Sequence, residues 1–356
     1  MDVAVIGGGI VGVSAAAFLA EAGAEVTLAE REAIGAGASG RNSGAVQHPF
    51  DPALTALHEE TVALYRELEA PGTEAFPLDR PPDGLLSVAA DPAPLTAFAD
   101  DVRRELPELE PRLLDPAEVA EAEPALGPGL HACRTETAWA VPPTAALEAL
   151  AKRARRAGAR FVGWPEAFEI DAGVTLVSAG PWTSQAVDPT GAWRPIEAVW
   201  GVVAEVELER APRHVLEEAG IPELAGALAS GEASPHLFSL VSSEGRHGLG
   251  SSFTSEKPEE RRTARELVAR GRHFLRGIGS VRATRACARP VSADGRPLIG
   301  RLAERLYVCA GHGPWGISIG PASARLVADL ILGRGVTVPP ELDAARFGAP
   351  GATSLR

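Results

Sequence analysis

Apolar residues recur along this chain in short runs of two different kinds. Residues 2–6 (Asp-Val-Ala-Val-Ile) are almost wholly apolar, the pattern of a strand covered on both faces. A glycine-rich turn follows, then an alanine-rich helical stretch over residues 14–22 and a second apolar run, Val26-Thr27-Leu28-Ala29, ending at Glu30. Residues 52–69 place Leu54, Leu57, Thr61, Leu64 and Leu68 on one helical face. Asp83-Gly84 leads into a strand over residues 85–90, and Asp115-Pro116 reads as the N-cap and first residue of a short helix. Pro143-Thr144 opens a longer helix that Gly158 closes. Residues 203–209 alternate, with Ala204, Val206 and Leu208 against Glu205, Glu207 and Glu209, as in an antiparallel sheet with one wet face. A charged helix is expected over residues 259–276. Apolar runs at residues 174–177 and 306–309 each lead into a glycine-containing turn, and a last helix is expected from about Pro321 to Leu332, stopped by Gly333.

The two ends therefore look like a parallel α/β sheet and the middle like an antiparallel one. At 356 residues, the chain has room for about two domains of roughly 100–200 residues. The expected arrangement is a nucleotide-binding domain made of residues 1–50, 135–190 and 285–356, with a second domain, residues 51–134 and 191–284, inserted into it.

The start of the chain gives the chemistry. Gly7-Gly8-Gly9-Ile10-Val11-Gly12 lies between a strand and a helix, and the next strand ends in an acid, Glu30. In a dinucleotide-binding unit, the first glycine of such a motif makes the turn. The second lets the backbone approach a pyrophosphate at a helix N-terminus, and the third lets helix and strand pack closely. The acid receives the ribose hydroxyls, so FAD or NAD is expected rather than NADP; Arg31 beside it pulls the other way. The competing reading is a glycine-rich turn in some other α/β sheet.

Charge and composition narrow the partners. The net charge of -13 argues against a nucleic-acid surface. The three cysteines, Cys133, Cys287 and Cys309, are far apart and form no metal-ligand spacing, so no metal site is expected and a reducing compartment is. The first strand begins at residue 2 with no basic-then-apolar leader, and no apolar run reaches the roughly 18–20 residues of a membrane span. A cytoplasmic protein is expected.

Taken in order, the motifs resemble the FAD-dependent oxidoreductases that include glycine oxidase, the D-amino-acid oxidases and dehydrogenases, and sarcosine oxidase. The resemblance is carried by Gly7 to Gly12 with Glu30; by Gly37-Ala38-Ser39-Gly40-Arg41-Asn42-Ser43-Gly44; and by Leu114-Asp115-Pro116-Ala117-Glu118-Val119 with Glu123-Pro124. It continues with Val177-Ser178-Ala179-Gly180-Pro181-Trp182, with Arg289-Pro290 followed by Asp294-Gly295 and Pro297-Leu298-Ile299-Gly300, and with Gly311-His312-Gly313 and Gly316. It implies a Rossmann-like FAD domain of the glutathione-reductase type, with an inserted α+β substrate domain on a mostly antiparallel sheet. It also implies FAD contacts from Gly7, Gly9, Ile10, Val11, Gly12, Glu30, Arg31, Ser39, Arg41, Asn42, Gly44, Ala179, Gly180, Trp182, Gly311, Gly313, Trp315, Gly316 and Ile317.

For the substrate end, the resemblance implies that Arg289 pairs with a carboxylate, which a planar guanidinium can hold through two parallel hydrogen bonds. The competing reading is a structural arginine paired with a protein carboxylate. Phe238 stands where relatives carry a substrate-contacting tyrosine. Trp315 is expected beside the flavin or substrate, and His48 is a candidate to bind substrate or tune the flavin. Cys287 falls where sarcosine oxidase-like relatives attach flavin through a thioether, although a non-covalent flavin is expected. Cys133 and Cys309 are expected in the core. The chain departs from the family in the short stretch between residues 161 and 173, and residues 211–236 align with no subfamily.

The expected activity is oxidation of the C–N bond of a small amino or imino acid by hydride transfer to flavin N5. The imine would hydrolyse to an oxo acid, and oxygen or another acceptor would take the electrons. The alternatives are a 2-hydroxy-acid dehydrogenase, for which His48 would be the base, and a tRNA-modifying flavoprotein module, against which the charge argues. A flavin-holding subunit of a larger complex is a further alternative.

Overall fold

The computed structural model describes residues 1–68, 78, 80–163, 172–220 and 236–350. Among these, two large sheets organise the chain. The first runs, in spatial order, Leu298–Ala303, Leu306–Ala310, Val174–Val177, Asp2–Ile6, Glu25–Glu30 and Arg160–Gly163. All its pairings are parallel except the hairpin at the Leu298–Ala303 edge. One continuous core joins this sheet to the helices Ile10–Glu21, Ala145–Arg156, Thr55–Leu68 and Gly316–Ile331. The helix Ile10–Glu21 is buried from Ile10 to Ala20, which explains its alanines: small side chains let helices and sheet close in on every side.

The second sheet orders Ile278–Ser292, Ile196–Leu208, Arg246–Ser252, His236–Ser243, Val215–Glu218, Leu85–Ala89, His131–Thr135 and Arg112–Leu114. It is antiparallel except where Val215–Glu218 meets Leu85–Ala89. Its apolar face packs against the helix Glu260–Gly271, burying Val202, Ala204, Val206, Leu216, Leu240 and Leu249. The opposite face looks towards the first sheet. At the short helix Pro116–Ala122, Asp115 caps the Ala117 and Glu118 amides while Glu118 returns to the Asp115 N–H.

Three boundaries differ from the sequence expectation. The helix Thr55–Leu68, assigned to the inserted domain, packs on Gly316–Ile331 in the nucleotide-domain core. The strand Ile278–Ser292 runs unbroken past residue 285, so Cys287 and Arg289 belong to the second sheet. The last helix begins at Gly316, with Pro321 inside it. Proline has no N–H to give the Ile317 carbonyl; the Tyr65 hydroxyl donates to that carbonyl at 2.7 Å instead. Thr61, one turn earlier on the same helix, accepts from the Ala322 N–H. Residues 164–171 and 221–235, which include most of the two unusual stretches, lie outside the described residues.

Candidate active site

The two sheets enclose a cavity of about 630 Å³, within the roughly 300–1,000 Å³ range of small-molecule sites. Its nucleotide end is made of backbone. Gly7 has φ +112°, and a Cβ there would collide with the Ser178 carbonyl oxygen. A Cβ at Gly12 would strike the Gly7 carbonyl, so Gly12 packs strand on helix from behind the cavity wall. Gly9, Ile10 and Val11 bring the helix N-terminus, with its partial positive charge, onto the wall. Glu30 accepts the Gly8 N–H at 2.7 Å and the Glu32 N–H at 2.9 Å, which fixes its carboxylate at the end of the second strand.

The expected loop is a short helix, Ala38–Arg41, and its polar side chains build the wall. Ser39 accepts the Ile10 N–H at 2.9 Å. Asn42 donates to the Ser39 and Pro143 carbonyls and accepts from Gly44. Arg41 donates to the Ala286 carbonyl, tying this loop to the second sheet. Arg31 lies 4.7 Å over the ring of Trp182, itself 41% exposed, and the pair forms a rim with Ala179 and Gly180. On the other side, Gly313, Trp315, Gly316 and Ile317 carry the start of the last helix onto the wall. Gly44 and Gly311 do not line the cavity; with φ +91° and +83° they bend the chain behind it.

The opposite end is made of side chains. Arg289 reaches the cavity from Ile278–Ser292, and its guanidinium lies flat over Gly201 on the neighbouring strand, where a Cβ would overlap it. Nη1 donates to the Ser252 carbonyl at 2.9 Å, and the head sits 4.8 Å from the Phe253 ring centroid. Among the described residues, no carboxylate pairs with it. Burial lowers its pKa from the ordinary arginine value, although arginine keeps its proton in proteins. Cys287, two residues earlier on the same face, lies on the wall as a buried free thiol. Burial raises its pKa against the pull of Arg289, Arg41 and Arg285. Cys133 and Cys309 are also buried and free.

Two expected substrate residues face away. Phe238 is 1% exposed and stacks on Phe274 at 4.7 Å within the core of the second sheet. Its neighbours Ser239 and Val241 line the cavity instead, because successive strand residues point to opposite faces. His48 is 2% exposed and absent from the wall; Nδ1 accepts the Phe50 N–H and Nε2 meets Thr55 Oγ1 at 3.0 Å. Burial lowers its pKa to about 4, so it is neutral at pH 7. Gln47, one residue before it, takes the place on the wall.

The sequence reading missed Gln47, Glu217, Ser239, Ser251 and Phe253 on the wall. Strand alternation would have paired Glu217 with Ser239, but only once those strands were known to be neighbours. His312 belongs to the Gly311–Gly316 turn. Its Nε2 is buried and unpaired among the described residues, its pKa is lowered to about 4 by burial, and it too lines the cavity. The glycine cradle and this orphaned nitrogen suit a bound dinucleotide. No described cluster could hold a metal ion, and no described helix is long and apolar enough to cross a membrane.

The sequence model of the family described as "DAO: FAD dependent oxidoreductase" matches residues 2–330. A glycine oxidase of Bacillus licheniformis is 28% identical over 360 residues, covering 94% of each chain. The fold matches the crystal structure of iminodiacetate oxidase from Chelativorans sp. with a TM-score of 0.77 at 21% identity, over 96% of this chain and 98% of that one. It matches glycine oxidase from Bacillus cereus with a TM-score of 0.76 at 22% identity, over 94% and 96%.

Proposed function

The chain belongs to the DAO family of FAD-dependent oxidoreductases, and from that premise we propose that it oxidises the C–N bond of a small amino or imino acid whose carboxylate is held by Arg289. The observation that carries this reading is a guanidinium inside a cavity with no described protein carboxylate against it. A buried charge without a partner is costly, and a substrate carboxylate would supply the missing one through two charge-assisted hydrogen bonds. Gly201 beneath and the Ser252 carbonyl beside it fix the direction in which the guanidinium presents its remaining N–H groups. The relatives that bear the name glycine oxidase support an amino acid as the substrate.

FAD, when bound, supplies an acceptor for the hydride that leaves the substrate carbon. The residues of the chain bind and orient the substrate. Phe253, whose ring centroid lies 4.8 Å from the Arg289 head, puts an apolar surface beside the anchored acid, which keeps water from competing for Arg289. The amine must arrive neutral, with its lone pair free to form the imine, and no side chain is asked to remove a proton from carbon. The raised thiol pKa of Cys287 favours a flavin held without a covalent link.

The test is anaerobic. The holoenzyme is mixed with glycine, sarcosine, proline and D- and L-amino acids in turn, and the visible flavin absorbance is followed. Bleaching that Arg289→Ala abolishes supports the reading; failure of every amino acid to bleach the flavin overturns it. Oxidation of a 2-hydroxy acid is the second reading. It would draw its base from His312, whose unpaired Nε2 lies on the wall, rather than from His48. Bleaching by hydroxy acids alone would select it.

A further inference from the structure

Alternation puts Arg285, Cys287 and Arg289 on one face of the strand Ile278–Ser292. Cys287 and Arg289 line the cavity, and Arg285 does not. Its guanidinium goes instead to the loop that walls the cofactor end, where Nε and Nη2 donate to the Asn42 carbonyl at 3.3 and 3.1 Å. The loop answers in the other direction: Arg41 Nη1 donates to the Ala286 carbonyl at 3.0 Å. Each arginine thus holds the backbone next to the other, a reciprocal clasp between the second sheet and the cofactor loop. Behind it, Glu205 takes Arg285 Nη1 at 3.4 Å. A guanidinium suits this place, because its planar fork can grip a carbonyl with two donors and a carboxylate with a third.

The clasp ends a chain of bonds that starts at the glycine turn. The Ile10 N–H, at the helix N-terminus, donates to Ser39 Oγ at 2.9 Å. Asn42 Nδ2 donates to the Ser39 carbonyl at 2.7 Å and the Pro143 carbonyl at 3.0 Å, and Asn42 Oδ1 accepts the Gly44 N–H at 2.8 Å. Asn42 is therefore fixed by its own side chain, and its carbonyl is presented to Arg285. From Arg285 the strand runs four residues to Arg289, about 13 Å at about 3.3 Å per residue. Arg289 stands on one sheet and the cofactor cradle on the other, so the anchor alone does not set the distance between substrate and flavin. That distance matters, since a misplacement of about 1 Å can cost about a hundredfold in rate.

We propose that Arg285 is a positioning residue for the reaction: clasped with Arg41 across the two sheets, it sets how far the Arg289 carboxylate anchor stands from the flavin. This rests on the reading that Arg289 holds the substrate, and the test separates the two. It uses the FAD-saturated holoenzyme and the variants Arg285→Met and Arg285→Lys. Methionine removes the grip on Asn42 while Glu205 keeps Arg246 at 2.8 Å, so no carboxylate is stranded. The first readout is the visible flavin spectrum during titration with acetate, which has a carboxylate but no amine to oxidise. The second is anaerobic stopped-flow reduction by the amino acid that bleaches the wild type fastest, separated into limiting rate and half-saturating concentration. In Arg285→Met, acetate should keep its dissociation constant within about threefold, because Arg289 is intact. The acetate-induced spectral change should shrink, and the limiting rate should fall about tenfold or more. Arg285→Lys should recover part of both, and it carries the test alone if the methionine variant does not fold. A purely structural arginine would lower thermal stability and leave both readouts unchanged. An unaltered spectral change with a limiting rate within about twofold of wild type, or a loss confined to acetate affinity, overturns the positioning role. No response of the wild-type flavin to acetate overturns the anchor and the clasp together. A response altered as expected, with no reduction by any amino acid, overturns the oxidation reading alone.

Discussion

The two ends of the cavity are built from different materials. At the nucleotide end, Gly7, Gly9 and Gly12 act by having no side chain, and they lie within one short stretch of sequence. At the opposite end, Arg289, Glu217, Ser239, Ser251 and Gln47 bring side chains to the wall and come from five separate places in the chain. A cradle for a shared cofactor is a backbone shape, and a backbone shape is set locally. Recognition of a particular substrate is a set of charges held at distances, and those distances exist only once strands far apart in sequence have paired. Gly201 belongs to both descriptions: it is a glycine whose purpose is to let a side chain, Arg289, lie flat.

Substitutions at the two ends should separate these roles. The largest effect is expected from Arg289→Ala. Truncating one member of a desolvated charge pair costs about 2–5 kcal/mol, so kcat/KM for amino acids should fall by roughly two orders of magnitude or more while FAD content holds. Stopped-flow flavin reduction checks this; a change of less than about fivefold would remove the anchor from the argument.

Acid should act on the layer beneath both ends. His48, His58 and His312 have pKa values lowered from 6.5 to about 4, chiefly by burial. The unfolded chain therefore binds these protons between pH 6.5 and 4 while the folded chain does not, and stability falls as pH drops through that window. Each imidazole contributes at most about 3 kcal/mol. Thermal unfolding of the holoenzyme should lose most of its pH dependence in this window when His48 and His58 are both replaced by glutamine.

Gly7→Ala comes next. Its left-handed backbone and the Ser178 carbonyl oppose a Cβ, and strain of about 1–3 kcal/mol is expected. The ratio of flavin to protein absorbance in the purified variant should drop, and added FAD should restore it only at raised concentration. Gly201→Ala should do the converse. Full flavin content with KM for the substrate raised about tenfold, or about 1.4 kcal/mol, is the expected outcome. Equal loss of flavin in both variants would erase the distinction between the two ends.

The readability of the site in the sequence follows the same division. The strand–glycine–helix–strand–acid order is visible at residues 2–30 because each part is contiguous, and the observed strands and helix fall there. Arg289 could be singled out only through a resemblance, since its spacing after Cys287 says no more than that the two share a strand face. The errors at His48 and Phe238 are each one residue wide, with Gln47 and Ser239 as the neighbours that reach the wall. Alternation gives the two faces of a strand; which face meets the cavity is set by the layer packed behind it. The helix Thr55–Leu68 shows the same limit. Its apolar stripe is plain, but its partner is not, and the polar residues that support the Pro321-containing helix, Thr61 and Tyr65, explain themselves only in contact.

The sequence by itself determined the dinucleotide fold at the N-terminus, the acid that ends its second strand, and the alternation of the middle strands, because these depend on turn geometry and periodicity over a few residues. Only the tertiary structure decided that the guanidinium of Arg289 stands without a described carboxylate partner, that Gly201 makes room for it, and that Glu217 and Ser239, on neighbouring strands, reach the same wall. Electrostatic partnership is a matter of distance through space, and the order of strands in a sheet is not written in any one of them.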